Sequence, residues 1–120
     1  MIDFRRLIKS FSYAGAGVWY ALTNDQNVRI LLIATFAVLI SGWYLGLDGL
    51  KIWILFVMAI IVLFAEMVNT AIEHMVNLIT REHNMDARIA KDVSAGMVLF
   101  TVLAAGIVGL FIFLPFLFSY

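Results

Sequence analysis

The sequence of 120 residues contains no cysteine and only one proline. Without cysteine, the chain cannot form a disulfide, a zinc–thiolate site, an iron–sulfur cluster or a thiol nucleophile. Charge is also scarce, since charged residues make up 13% of the chain and the formal net charge is zero. A basic nucleic-acid-binding protein is therefore not expected. The phosphate-binding loop G-x-x-x-x-G-K-[ST] and the kinase-type loop G-x-G-x-x-G are absent as well.

Apolar residues are present in excess. Hydrophobic side chains make up 64% of the chain, whereas soluble domains contain about 45–50% apolar residues. Because a small domain has little interior relative to its surface, a soluble fold of this length could not bury so much apolar area. Lipid must therefore be part of the solvent, and we expect a single membrane-embedded domain that covers residues 1–120.

Three long apolar runs predict three membrane-spanning helices, at residues 28–47, 51–79 and 88–118. A hydrocarbon core of about 30 Å needs about 20 apolar residues in helical form. The first and third runs meet this length directly, and the second does so only if its polar residues lie inside or near the membrane. Irregular backbone cannot cross lipid while exposed to it, so all three segments should be helical. The predicted fold class is an all-α integral membrane protein.

The N-terminal segment has a different character. Residues 1–24 mix charged with apolar residues, and Phe4, Leu7, Ile8 and Phe11 recur at helical spacing. No long apolar run follows directly, so the segment is not expected to be a cleavable signal peptide. The pattern indicates an amphipathic helix that lies on the membrane surface.

Lysine and arginine are distributed unevenly around the apolar runs. Seven of the eight lie in the N-terminal segment, at the start of the first run, or in the 78–92 loop and its flanks. Only Lys51 lies in the loop between the first and second runs. The positive-inside rule therefore places the N-terminus and the 78–92 loop in the cytoplasm. Because three spans put the two termini on opposite sides, the C-terminus is expected outside.

Polar residues form a stripe along the second apolar run. Glu66, Asn69, Thr70, Glu73 and Asn77 share one face of a helix, because their spacing follows the helical repeat. Counting from the outer end of the run at about 1.5 Å per residue, the first glutamate lies roughly 22 Å deep and the second roughly 33 Å deep. The stripe should therefore reach the cytoplasmic boundary of the membrane.

Carboxylates at this depth are candidates for function. A charge inside the membrane is costly, so Glu66 should face the helix bundle or a water-filled cleft, and intramembrane ionisable groups usually mark functional sites. The alternative is that the stripe only forms hydrogen bonds between helices. For Asn69 and Thr70 taken alone, that alternative and a functional role are equally favoured, whereas two carboxylates on one face favour a functional role.

The motifs that follow resemble a known family. The run E-M-V-N-T-A-I-E at residues 66–73, a polar loop, and the run A-K-D at residues 90–92 resemble the signature of the prokaryotic diacylglycerol kinase family, and the resemblance extends over nearly the whole chain. The sequence is more similar to the Gram-positive branch, which phosphorylates undecaprenol, than to the diacylglycerol branch. The segments that carry this preference are residues 10–14, 26–30 and 111–115.

The resemblance implies a bacterial cell-membrane enzyme: a homotrimer of three-span subunits, each with an N-terminal surface helix, that transfers phosphate from ATP to a lipid alcohol. By position, Glu66 matches the general base, and Asp25 and Glu73 match carboxylates that hold Mg²⁺ on the nucleotide. Asn69 matches a catalytic positioning residue, and Ala95 matches a position near the lipid. The residues implied to contact ATP are Arg6, Tyr13, Asp25, Glu73, Glu82, His83, Asn84, Lys91 and Asp92.

Some positions depart from the family pattern. Asn77 stands where the family usually has Asp, and Asp25 stands where it usually has Glu, so this metal ligand would be one methylene shorter. Residues 84–86 also differ from the usual loop sequence. The acidic pair Glu66 and Glu73 keeps the family pattern.

Elementary chemistry agrees with the resemblance. A lipid alcohol lies at the headgroup level and ATP arrives from the cytoplasm, so both can meet only at the inner boundary, where the stripe is expected. Phosphoryl transfer depends mainly on positioning and charge neutralisation. Mg²⁺ prefers oxygen ligands and is often held by one or two carboxylates together with phosphate oxygens, and Lys91 offers a cation for phosphate charge. Because one subunit has few helices to enclose such a site, oligomerisation would complete it.

Three alternatives remain open from the sequence. The lipid substrate could be diacylglycerol, since nothing in the spans distinguishes an isoprenoid from a diacyl tail. The chain could be a small proton-coupled transporter that uses Glu66 as a proton carrier, although Glu73 and Lys91 would then have no role. It could also be a non-catalytic assembly subunit. The sequence also leaves open whether the site is shared between subunits.

Overall fold

The computed structural model describes residues 1–118, and that part of the chain is built from four helices joined by short turns. The helices are α1 (Phe4–Asn24), α2 (Gln26–Tyr44), α3 (Gly49–Ile79) and α4 (Met85–Phe118). Residues 1–118 contain no β-strand. The all-α prediction is therefore confirmed.

Capping side chains mark where the helices begin. Asp3, Asp25 and Asp48 are the N-cap residues of α1, α2 and α3, and each accepts a hydrogen bond from a backbone N–H in the first turn that follows. Asn84 accepts a hydrogen bond from the backbone N–H of Ala87 at 2.8 Å at the start of α4. Aspartate and asparagine suit these positions because their short side chains satisfy N–H groups that have no partner within the helix.

The helices α2, α3 and α4 are each long and apolar enough to cross a membrane. They contain 19, 31 and 34 residues, whereas a span needs about 20. Many of their large apolar side chains are exposed, among them Ile33, Phe36, Phe64, Phe100 and Phe111. An apolar exterior of this kind is the arrangement expected of helices whose solvent is lipid.

The central helix is α3, which packs most extensively against α4 and next against α2. A small apolar core forms at the end of the bundle near Lys51, where Leu47, Leu55 and Ile112 are buried together. Gly42 allows α2 to approach this core closely, because a Cβ atom there would lie 2.9 Å from both Ile52 Cδ1 and Leu47 Cδ1. A larger residue at position 42 would therefore require the ends of these two side chains to shift.

The first helix contacts the bundle mainly near its C-terminal end. Ala21 is its one buried residue, and Leu22 is partly buried. Everything from Phe4 to Tyr20 is exposed within the single subunit. The turn at Asp25 directs the chain from α1 into α2, and this turn forms part of the candidate site.

Candidate active site

A polar cleft lies between the α1–α2 junction and the middle of α3. Its volume is about 190 Å³. The junction between α1 and α2 supplies Asp25 and Asn27, and one face of α3 supplies Glu66, Asn69 and Glu73. The part of the predicted stripe that contains Glu66, Asn69 and Glu73 therefore faces the polar junction between α1 and α2.

Glu66 is almost completely buried at the base of this cleft, with 3% of its surface exposed. The side chains of Asp25 and Asn27 are polar neighbours of its carboxyl group. Val62 and Ala65, which precede Glu66 on α3, are buried apolar residues. A carboxyl group in such a place costs folding free energy, which makes Glu66 a candidate functional residue.

Asn69 bonds Glu73 within the stripe and also reaches α4. It is buried, with 6% exposed, and its Nδ2 donates a hydrogen bond to Glu73 Oε1 at 3.3 Å. Its Oδ1 accepts a hydrogen bond from Ser94 Oγ at 2.6 Å. The amide therefore fixes the orientation of Glu73 from one side while α4 holds the amide from the other.

Ser94, which is 3% exposed, is a further residue of the site that was not among the predicted ones. A signal was available, because Ser94 is the one polar residue between Asp92 and Thr101 in an otherwise apolar run. A lone hydroxyl in a membrane helix usually bonds either its own backbone or a neighbouring helix. The Ser94 hydroxyl bonds the neighbouring helix, through Asn69 on α3.

Replacing Ser94 with alanine should lower the free energy of unfolding, because the Asn69 carbonyl would lose its buried donor. Hydrogen bonds between membrane helices typically contribute about 0.6 kcal/mol and at most about 2 kcal/mol. Thr101→Val is the matched control, since the Thr101 hydroxyl bonds the Val98 carbonyl of its own helix. Unfolding by denaturing detergent measures both variants, and equal stability of Ser94→Ala and wild type would contradict the role of this contact.

The Asp25 carboxylate accepts hydrogen bonds from three residues. Its Oδ1 caps α2 by accepting hydrogen bonds from the N–H groups of Asn27, at 2.9 Å, and Val28, at 3.4 Å. Its Oδ2 accepts a hydrogen bond from the Thr70 hydroxyl on α3. The capping contact and the presence of Asp25 in the cleft occur together, so capping does not exclude a further role for its carboxylate.

A tyrosine–histidine pair forms the outer wall of the cleft. The Tyr20 hydroxyl and His74 Nε2 are 3.2 Å apart, and the two rings meet edge to face with centroids 5.5 Å apart. This contact ties α1 to α3. The position of His74 one helical turn after Thr70 is only a weak sequence indication that it lies at the cleft. No sequence pattern indicates that Tyr20 contacts a residue 54 positions away.

A second, larger pocket surrounds the turn between α3 and α4, with a volume of about 600 Å³. Glu82, His83 and Asn84 from the turn line it, together with Lys91 and Asp92 from the first turns of α4. The polar loop residues that were predicted from the sequence therefore lie together, at the C-terminal end of α3 and the N-terminal end of α4.

Two contacts organise the charges of the second pocket. Lys91 Nζ donates a hydrogen bond to Asn77 Oδ1 on α3 at 2.7 Å. Asp92 pairs with Arg88 one turn earlier on α4, at 3.7 Å between Oδ2 and Nε, and both side chains are largely exposed. An exposed pair of this kind contributes little to stability.

The predicted site residues thus fall into groups. Asp25, Glu66, Asn69 and Glu73 line the cleft. The five predicted residues of the turn and of α4 line the second pocket, which shares no lining residue with the cleft. Three predicted residues line neither pocket: the exposed side chains of Arg6, Tyr13 and Ala95.

Carboxylates and histidines within residues 1–118 do not form a cluster of three that would bind a metal unaided. Asp25 and Glu73 nevertheless line the same cleft. Two carboxylates suit Mg²⁺ that brings further oxygen ligands from phosphate and water.

Comparison with known proteins identifies the family. Residues 12–113 match the family described as prokaryotic diacylglycerol kinase. The chain belongs to this family. It is 39% identical over 113 residues to an undecaprenol kinase of Bacillus subtilis, and the match covers 94% of the chain and 92% of that protein.

Other relatives carry a different substrate in their names. The chain is 39% identical over 110 residues to a diacylglycerol kinase of Synechocystis, with 91% of the chain and 63% of that protein covered. It is 28% identical over 102 residues to a diacylglycerol kinase of Escherichia coli, with 85% of the chain and 84% of that protein covered. The prediction of a membrane-embedded lipid kinase is therefore confirmed, and neither the transporter nor the assembly-subunit alternative gains support.

Proposed function

We propose that this kinase transfers the terminal phosphoryl group of ATP to the hydroxyl of undecaprenol, which gives undecaprenyl phosphate. The observation that carries the proposal is the position of Glu66, a buried carboxyl group at the base of a polar cleft on a helix able to span a membrane. The Bacillus subtilis undecaprenol kinase, which matches nearly the full length of the chain, supports this acceptor.

The proposed orientation places the cleft at the inner leaflet of the bacterial cell membrane. The distribution of lysine and arginine puts the N-terminus and the 78–92 loop in the cytoplasm and the C-terminus outside. In that orientation α1 lies on the cytoplasmic membrane surface, and its exposed apolar residues Phe4, Ile8, Phe11 and Trp19 are available to enter the headgroup region.

Glu66 is proposed to act as the general base. It lines the polar cleft and follows the buried apolar residues Val62 and Ala65 on α3, and the lipid hydroxyl is proposed to enter the cleft to reach it. Removal of the hydroxyl proton makes the oxygen a better nucleophile, and the carboxylate is suited to accept that proton. Asn69 is proposed to hold Glu73 in place through its hydrogen bond, and the exposed Ala95 on α4 is proposed to lie near the lipid.

Asp25 and Glu73 are proposed to hold Mg²⁺ together with the nucleotide phosphates. Both carboxylates line the cleft, and each is oriented by a neighbour on α3: Asp25 by Thr70 and Glu73 by Asn69. Magnesium bound there would neutralise phosphate charge during transfer. This fit rests on the chemistry of the two donors and their shared cleft.

The second pocket is proposed to hold the rest of ATP. Asn77 follows Glu73 by four residues on α3, which is a rise of about 6 Å, so the two pockets are neighbours along one helix. A polyphosphate chain can bridge that distance, from Lys91 beside Asn77 to the cleft beside Glu73. The predicted contacts from Asp92, from the turn residues 82–84, and from Arg6 and Tyr13 on α1 would then surround the nucleotide.

A homotrimer is proposed to complete the enclosure. In the single subunit Glu73 is exposed, and large apolar side chains cover α2, α3 and α4 on their outer sides. Additional helices would exclude water from the cleft and cover part of this apolar surface. Closed rotational symmetry is the usual way in which a small subunit obtains such neighbours.

The acceptor is tested by offering both lipids to the purified protein in one vesicle preparation with labelled ATP and Mg²⁺. We expect label in undecaprenol, with a higher kcat/KM than for diacylglycerol measured in separate titrations. The names of the Synechocystis and Escherichia coli relatives favour diacylglycerol as the second candidate. Preferential labelling of diacylglycerol would contradict the choice of acceptor while preserving the lipid kinase reaction.

A further inference from the structure

Lys91 has a neutral partner at the end of α3. Its Nζ donates a hydrogen bond of 2.7 Å to Asn77 Oδ1, across 14 residues of sequence. The neighbouring acid, Asp92, faces Arg88. Within residues 1–118, Lys91 is therefore held by an amide and makes no ion pair, although an acidic residue follows it directly in the chain.

We propose that Asn77 is a positioning residue that holds the Lys91 ammonium in place for the phosphates of the nucleotide. The proposal rests on the proposed function, because it assumes that the second pocket receives ATP. It assigns a role to a residue whose type departs from the usual family pattern.

The hydrogen bond fixes a side chain that would otherwise be mobile. Lysine carries its charge on a flexible stem and loses considerable conformational entropy when that charge is held at one point. Lys91 is only partly buried, so packing alone does not hold it. Because Asn77 holds the ammonium before the nucleotide arrives, less entropy is lost on binding, and phosphate affinity rises.

The chemistry of the partner matters as much as its position. A carboxylate at residue 77 would also accept the hydrogen bond, but it would place a negative charge beside the ammonium and repel phosphate. The neutral amide orients Lys91 and leaves its positive charge uncompensated. Lysine binds phosphate as a point charge, so the available charge decides how strongly it attracts the nucleotide.

The location of the pair supports a role toward the polyphosphate. Asn77 lies one helical turn beyond Glu73 on α3, and Lys91 lies one turn before Ser94 on α4. Ser94 in turn bonds Asn69 inside the cleft. Along α3 toward its C-terminal end, the Asn77–Lys91 hydrogen bond therefore follows the Asn69–Ser94 hydrogen bond. Both join α3 to α4, and the Asn77–Lys91 bond lies at the second pocket.

The test compares Asn77→Leu, Lys91→Met and the double variant, with KM for MgATP from lipid phosphorylation and Kd for MgATP from calorimetry. Asn77→Leu should raise both constants about tenfold with little change in kcat, because a hydrogen bond to a charged group is lost. The double variant should bind MgATP no more weakly than Lys91→Met alone, since Asn77 acts only through Lys91.

Two further variants complete the test. Asn77→Asp keeps the acceptor but adds a charge, so its KM for MgATP should rise and then approach the wild-type value as salt screens the ion pair. Leu78→Ala is the control, because Leu78 is the adjacent residue on α3 and is 87% exposed. It should leave KM and Kd unchanged. If the Asn77→Leu variant does not fold, Asn77→Ala takes its place in the test.

Wild-type affinity for MgATP in Asn77→Leu or Asn77→Ala would overturn the proposal. A rise in Kd in the double variant equal to the product of the rises in the two single variants would also overturn it. These outcomes are separate from a failure of the proposed function. A wild-type protein that binds MgATP but phosphorylates neither lipid would refute the function, while the calorimetric comparison would still decide the role of Asn77. A wild-type protein that does not bind MgATP would refute both.

Discussion

Glu66→Gln is expected to lower kcat for lipid phosphorylation about 10²- to 10⁴-fold, the range typical for loss of a general base. Glutamine has nearly the same shape and keeps an oxygen that can accept a hydrogen bond, so the cleft should retain its structure. What it loses is the ability to take the hydroxyl proton. KM for MgATP should change little, because the proposed contacts to Mg²⁺ and the nucleotide come from Asp25, Glu73 and the second pocket, which Glu66 does not line.

Asp48→Asn is the matched control for this substitution. It also exchanges a carboxylate for an amide, but it lies at the start of α3, at the opposite end from the candidate site. Asparagine is as good an N-cap as aspartate, so both stability and activity should be retained. Near-wild-type kcat in Glu66→Gln, measured in vesicles with saturating lipid and MgATP, would contradict the role of Glu66 as a base.

The second large effect is expected from Asp25→Asn. Asparagine can still cap α2 and can still bond the Thr70 hydroxyl, so the α1–α2 junction should fold normally. The negative charge proposed to hold Mg²⁺ is lost, and kcat/KM should fall about 10²-fold, which is the usual effect of removing one electrostatic group from a transition state. The Mg²⁺ concentration that gives half-maximal activity should rise as well.

Asp25→Ala separates the two roles of this residue. It removes the charge and the cap together, so it should be about 1 kcal/mol less stable than Asp25→Asn, yet lose a similar factor in kcat/KM. Asp3→Asn, at the N-cap of α1, is the control and should leave the Mg²⁺ dependence unchanged. If Asp25→Asn shows the wild-type Mg²⁺ dependence and only Asp25→Ala loses activity, then Asp25 acts solely as a cap.

The helices could be predicted because lipid leaves few choices to the backbone. Long apolar runs in α2, α3 and α4 must satisfy their own hydrogen bonds, and helices do so within one segment. The structure adds the helix starts, where Asp25 and Asp48 are the N-cap residues of α2 and α3, in keeping with the preference of aspartate for this position. The close packing of α2 at Gly42 could not be predicted in the same way, because it depends on side chains that come from α3 and from the turn before it.

The candidate site could be predicted only in part. The spacing of Glu66, Asn69 and Glu73 places them on one face of a helix, whatever the tertiary structure is. That face meets α4 through Ser94 and α1 through the pair of His74 and Tyr20. Both contacts join residues that are distant in sequence, so helical periodicity, which is a local property, cannot reveal them.

The central claim is that ATP and a lipid hydroxyl meet at the cytoplasmic end of α3, and transfer in sealed vesicles tests it most directly. The absence of native cysteine allows Arg81→Cys and Leu50→Cys, each labelled with an impermeant maleimide, to report which end of the bundle faces outward. We predict that labelled ATP and Mg²⁺ phosphorylate undecaprenol only from the side that exposes residue 81. Transfer from the side that exposes residue 50, or no lipid labelling from either side, would contradict the account.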